Sequence, residues 1–203
     1  LEFRRVLFRS NLHPANFRTQ KNAGLQLIWI TPLRALATDL ARAMEAAIAE
    51  LELPWKVGIR NGDSSAKDRA AQKKQLPEIL IITPESLHLL ISQTGHEKLA
   101  ETLQVIAVDE WHELLGNKRG VQTELSIARL LAAAKQFNNT PLVWGISATI
   151  GNLEEAMEVL LYPTATRGKL ITANIDKKIA VTSIFPDDRS EEHTSELQSP
   201  DHL

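Results

Sequence analysis

The chain contains no cysteine, which excludes disulfides and thiolate metal sites. No apolar run approaches the ~18 residues of a membrane span. Positive charge is not in excess. Lys and Arg number 23 against 25 Asp and Glu, for a net charge of −2. That excludes a strongly basic module, while contact with nucleic acid through backbone amides and helix ends stays open. Glycine is sparse too, and none of the 9 glycines stands in a G-x-x-x-x-G-K-[ST] phosphate loop. What is present, 43% hydrophobic and 24% charged residues over 203 positions, is the balance of a globular protein with one core.

The two ends carry a different signature. The DNA word AGATCGGAAGAGCACACGTCTGAACTC translates to RSEEHTSEL at 189–197, and its reverse complement translates to EFRRVLFRS at 2–10. The word resembles a sequencing-library adapter. The expectation is therefore an insert, 11–188, read through from adapter to adapter, with 1–10 and 189–203 set aside from fold reasoning.

Within the insert, short β-rich runs alternate with stretches of helical periodicity. Strands are expected at 25–31, 55–61, 79–83, 105–110 and 142–148, and helices at 35–51, 64–75, 86–92, 121–137 and 152–161. Asp63 or Ser64 is the expected cap of the second helix. KLITANI (169–175) and IAVTSIF (179–185) read as extended. Strands this apolar, alternating with helices, predict an α/β parallel sheet covered on both faces. Trp29 and Trp144 fall in central strands and are expected to be buried.

In such a sheet the ligand site lies at the carboxyl ends of the strands, and the unusual residues fall there. Strand four ends in Asp109-Glu110 within VIAVDEWH. This is the pattern of an acid that holds Mg²⁺ through water, followed by an acid that orients attacking water; a solvated acidic strand end is the plain alternative. Trp111 is either a packing platform or a specificity feature. Strand five ends in Ser147-Ala148-Thr149, whose hydroxyls can reach Asp109 or His112. Thr31-Pro32 and Thr83-Pro84 end strands one and three, each suited to cap a helix and leave its first amides toward a phosphate. Arg34 adds a cation, and Asn61-Gly62-Asp63 reads as a turn.

Taken in order, TPLRAL (31–36), NGDS (61–64), TPESL (83–87), DEWH (109–112) and SAT (147–149) resemble motifs Ia, the Gly-Asp element, Ib, II and III. These belong to the first RecA-like lobe of superfamily 2 DExH-box helicases. TPESLH, DEWHEL, KRGVQTEL and SATIGN are most similar to the Lhr-like branch, and within it to the bacterial ligase-associated helicases of DNA repair. The resemblance implies ATP and Mg²⁺ as cofactors. It implies Asp109 as the Mg²⁺ acid, Glu110 as the water-activating acid, His112 as the coupling residue, and Ser147 and Thr149 as the link to unwinding. It further implies a single-stranded DNA track, within a partly duplex substrate, lined by Thr31, Pro32, Arg34, Gly62, Asp63, Thr83, Pro84, Glu85 and Ser86. Arg119 and Gly120 lie in a branch-typical KRG segment with no assigned role. A DNA ligase and nuclease as partners, no membrane, and a bacterial cytoplasmic location complete the expectation.

With no phosphate loop in the chain, the resemblance implies that 11–168 is an incomplete lobe, without the P-loop strand and helix, and that 169–188 is the start of a link to a second lobe. An exposed apolar gap beside Asp109, with poor solubility, is expected, as is an inactive polypeptide. Two alternatives compete: a stand-alone lobe that binds nucleic acid without hydrolysis, and an unrelated doubly wound small-molecule domain. The second leaves the ordered motifs unexplained.

Overall fold

A computed structural model describes residues 22–148, 150–164 and 168–171. The chain divides into two units, Leu1–Leu170 and Ile171–Leu203, and every strand and helix of the described residues belongs to the first.

Five strands, β1 (Leu27–Ile30), β2 (Val57–Arg60), β3 (Ile79–Ile82), β4 (Val105–Val108) and β5 (Leu142–Gly145), form one parallel sheet in the order β2-β3-β1-β4-β5. Their registers align Ile30 with Ile82 and Val108, and Val108 with Gly145, so all five strands end along one rim. The helices are α1 (Ala37–Glu50), α2 (Ala66–Lys74), α3 (Pro84–Ile91), α4 (Trp111–Leu114), α5 (Lys118–Lys135) and α6 (Leu153–Leu161).

Alternation along the strands sorts the core into two layers. Ile28, Ile30, Leu80, Ile82, Ile106 and Val108 pack under α3, α5 and α6. Leu27, Trp29, Ile79, Ile81, Val105 and Ala107 pack under α1 through Ala37, Ala41, Met44 and Ile48. Each fully buried branched side chain contributes ~2 kcal/mol of transfer free energy. The fold is thus the expected RecA-like α/β arrangement, with both faces covered.

Four details differ from the sequence reading. Trp29 is buried, but Trp144 is only half-buried, because β5 is an edge strand. For the same reason the exposed apolar edge is not beside Asp109. β4 lies between β1 and β5, and the exposure falls one strand further out, at Leu142, 46% exposed. Ser65, not Asp63 or Ser64, caps α2 by accepting from the Asp68 amide, while the Ser64 hydroxyl turns back to the Ile59 carbonyl. Thr83 stands at the N-cap of α3 with Pro84 at its first position, yet its hydroxyl donates to Ser86 Oγ at 3.1 Å instead of accepting from an amide. Of the expected extended segments, only 169–171 are described and they form no strand; the remainder, within 172–185, lies outside the described residues.

Candidate functional site

Asp109 and Glu110 emerge where β4 leaves the sheet. Parity places Asp109 on the same face as Ala107 and its β1 neighbour Trp29. The Trp29 indole N–H donates to Asp109 Oδ2 at 3.3 Å, and the Glu110 amide donates to Asp109 Oδ1 at 3.0 Å. Both carboxylate oxygens are thereby oriented. Trp29 was missed as a site residue. The signal was there only in combination: an indole in a strand whose register sets it two residues before an acid.

Glu110 adopts φ +47° and ψ +46°, a left-handed conformation unusual for a non-glycine residue. This bend turns the chain from β4 into α4 and brings His112 to the segment that follows β5. His112 Nδ1 accepts the Ala148 amide at 3.3 Å and lies 3.0 Å from Ser147 Oγ. With Nδ1 accepting, the ring proton sits on Nε2, which lies 3.4 Å from Glu110 Oε2 and 3.6 Å from Glu113 Oε1. His112 therefore bridges the second acid to the end of the neighbouring strand. Thr149 lies outside the described residues. Trp111 is a packing residue: it is buried and its indole donates to the Ala156 carbonyl at 2.9 Å.

The remaining corners share the rim. Thr31, Pro32, Thr83 and Pro84 are buried, Glu85 and Ser86 half-buried, and Arg34, Gly62 and Asp63 exposed. Arg34 Nη1 lies 3.7 Å from Asp63 Oδ1, which draws the first Thr–Pro corner to the Gly-Asp turn. Both side chains are well exposed, so the pair is worth little and the guanidinium is free to exchange partners. Asn61 organises that turn: it is buried, its Oδ1 accepts the Asp63 amide at 2.9 Å, and its amide donates to Ser64 Oγ at 2.9 Å.

The KRG segment also has a place. Asn117 caps α5 by accepting the amides of Arg119 and Gly120. Arg119 reaches the rim, donating from Nη2 to the Pro32 carbonyl at 2.9 Å and pairing through Nε with Glu85 Oε1 at 2.6 Å. Burial alone would raise the Glu85 carboxyl, but its own backbone amide and Arg119 outweigh that and hold it below the ordinary range.

A cleft of about 370 Å³ lies between α5 and α6, with Glu124, Ile150 and Glu155 in its wall. Burial pushes the Glu124 carboxyl up. A raised folded-state pKa means that the charged form is disfavoured by folding, so the penalty exists above that pKa and vanishes as pH falls through it. Glu124→Gln is expected to raise the melting temperature by about 1–2 °C at pH 7.5 and to leave it unchanged at pH 4. Equal gains at both pH values would refute the electrostatic cause.

A parallel sheet with two carboxylates at the end of one strand, bridged by histidine to the next, defines a RecA-like lobe of the nucleotide-dependent helicase class. The chain belongs to the DEAD/DEAH box helicase family, whose model matches residues 8–156. Within it the Lhr-like group is similar. The ATP-dependent helicase Lhr-Core of Sulfolobus acidocaldarius is 38% identical over 154 residues, covering 71% of this chain and 17% of that protein. The Lhr helicase/uracil glycosylase of Escherichia coli is 32% identical over 145 residues, covering 66% and 9%. The structure of Mycobacterium smegmatis helicase Lhr bound to ssDNA and AMP-PNP superposes with a TM-score of 0.56 at 31% identity, covering 66% of this chain and 18% of that one. The chain thus spans less than a fifth of each of these proteins.

Proposed function

We propose that this lobe serves an ATP-dependent DNA helicase of the Lhr type, coupling ATP hydrolysis to movement along or unwinding of DNA. The observation that carries the proposal is the His112 bridge, which joins Glu110 to Ser147 and Ala148. Through it, a change at the hydrolytic acid is felt at the next strand end, on the same rim as the Thr–Pro corners. Asp109 suits Mg²⁺ held through water, because it is one oriented carboxylate. Among the described residues no group of three His, Asp or Glu forms a closed metal cage. A single acid with phosphate and water completing the shell is the arrangement Mg²⁺ favours. When bound, the ion supplies charge neutralisation on the phosphates; Glu110 orients the attacking water and accepts its proton.

The track reading assigns DNA phosphates to Arg34, the Gly62-Asp63 turn and the first amides of α3, with the buried threonines and prolines setting the shape of the corners. Support comes from the exposure of Arg34 and from an Lhr relative solved with ssDNA. The resemblance to ligase-associated helicases supports a repair setting with a DNA ligase and nuclease, in the bacterial cytoplasm. Among the described residues no helix is long and apolar enough to cross a membrane.

The 203 residues hold no G-x-x-x-x-G-K-[ST] loop, and hydrolysis needs that cradle and opposing arginines to stabilise the transferring phosphoryl. The polypeptide is therefore expected to bind a labelled single-stranded oligonucleotide in fluorescence anisotropy with strong salt dependence, and to show no ATPase. Arg34→Ala should weaken binding about three- to fivefold at low salt. Absence of binding at low salt would overturn the track reading. A robust DNA-stimulated ATPase, lost in Glu110→Gln, would overturn the expected inactivity.

A further inference from the structure

Glu85 is out of place in a phosphate track. It sits in the first turn of α3, where the free amides favour an anion, and a carboxylate there competes with a phosphate and repels it. The structure supplies a cation for that acid. Arg119 comes from α5, 34 residues further along the chain, and its Nε lies 2.6 Å from Glu85 Oε1 with Nη2 at 3.5 Å from Oε2. The same Nη2 donates to the Pro32 carbonyl at 2.9 Å. One guanidinium thus holds the two Thr–Pro corners together and covers the negative charge of one of them.

The approach is built from the backbone up. Asn117 fixes the Arg119 amide at 2.8 Å. Gly120 lets the first turn of α5 lie against the Leu114 carbonyl, closer than any side chain permits. Thr123 bonds back to the Arg119 carbonyl at 2.9 Å. Arginine suits this role better than lysine, because its planar fork meets a carbonyl and a carboxylate at once.

We propose that Arg119 is a positioning residue of the nucleic-acid track, which cancels the Glu85 carboxylate and fixes the Pro32 corner against it. This rests on the nucleic-acid reading above and deepens it. Arg119 acts through Glu85 and Pro32, whereas Arg34 is the cation offered to the phosphate.

The test uses the full chain, a labelled oligo-dT probe, anisotropy and a thermal melt. Arg119→Met exposes the Glu85 charge and is expected to weaken binding about tenfold, less than the loss for a fully buried charge pair because both side chains are partly exposed. Adding Glu85→Gln to it should recover at least about threefold, since the uncovered charge is then gone. Glu85→Gln by itself keeps the Arg119–Pro32 bond and removes the carboxylate that competes with phosphate, so it should bind about twofold more tightly than the unaltered chain; this arm stands even if Arg119→Met fails to fold. A purely structural Arg119 predicts equal losses in the single and double variants, and that result would overturn the proposal. So would a tenfold loss in Glu85→Gln alone, or Arg119→Met binding within twofold of the parent. Failure of the unaltered chain to bind the probe would instead bring down the track reading on which the proposal stands.

Discussion

Gly120→Ala is expected to destabilise the chain by ~3 kcal/mol or more. A Cβ at this position would stand 2.1 Å from the Leu114 carbonyl oxygen and 2.9 Å from its carbon. Both are backbone atoms of α4, so no side-chain rotation relieves the contact. Either the first turn of α5 moves away from α4, or α4 moves away from the sheet. The first movement pulls Arg119 from Pro32 and Glu85. The second disturbs Trp111, Leu114 and the bend at Glu110 that aims His112. Stability and DNA binding should therefore fall together. Urea unfolding followed by tryptophan fluorescence measures the first, with buried Trp29 and Trp111 as reporters. Gly151→Ala is the control, because nothing lies within 4 Å of its added methyl, and it should stay within ~0.5 kcal/mol. A Gly120→Ala chain as stable as the control would show that α4 and α5 are not locked in this contact.

The strand ends were legible because their chemistry and their burial point the same way: four apolar residues, then Asp109-Glu110, or a strand and then Thr83-Pro84. The apolar run around Trp29 was legible too: set in a central strand, that side chain was expected to be buried, and it is. Order across the sheet was not. Sequence places VIAV after ILII, but β1 lies between them, and which strand ends at an edge depends on that insertion. Hence Trp144 was expected in the interior and the exposed apolar surface was placed one strand too far inward. Arg119 was visible as part of a segment but not as a clamp, since its partners, Pro32 and Glu85, lie 87 and 34 residues away along the chain. The capping of α2 moved by one or two residues because Ser64 has a competing bond inside the turn that Asn61 organises. In each case local chemistry was readable, and the pairing of distant chain segments was not.

The second large effect concerns the backbone at the catalytic acid itself. Glu110→Gly is expected to stabilise the lobe by ~0.5–1 kcal/mol, and Glu110→Val to destabilise it by ~2 kcal/mol or more. At φ +47° a Cβ crowds the following carbonyl, at ~1–2 kcal/mol for an ordinary residue, and a β-branched side chain fares worse. Glycine removes that strain, and its looser unfolded chain takes back part of the gain. The Glu110–His112 contact at 3.4 Å is partly exposed, so its loss in either variant is small beside the backbone terms. Glu52 offers the same experiment without the chemistry. It has φ +54° just past α1, where the Leu53 amide closes on the Ile48 carbonyl at 3.1 Å. Glycine there should stabilise by a similar amount, and the two glycine variants should add, because the sites share no partner. A Glu110→Gly chain weaker by more than ~1 kcal/mol would mean that the His112 bridge, and not the bend, holds this corner. The predicted order, glycine above glutamate above valine, says that the fold would be better served by another residue at 110. The strained acid is then retained for what its carboxylate does beside Asp109 and His112.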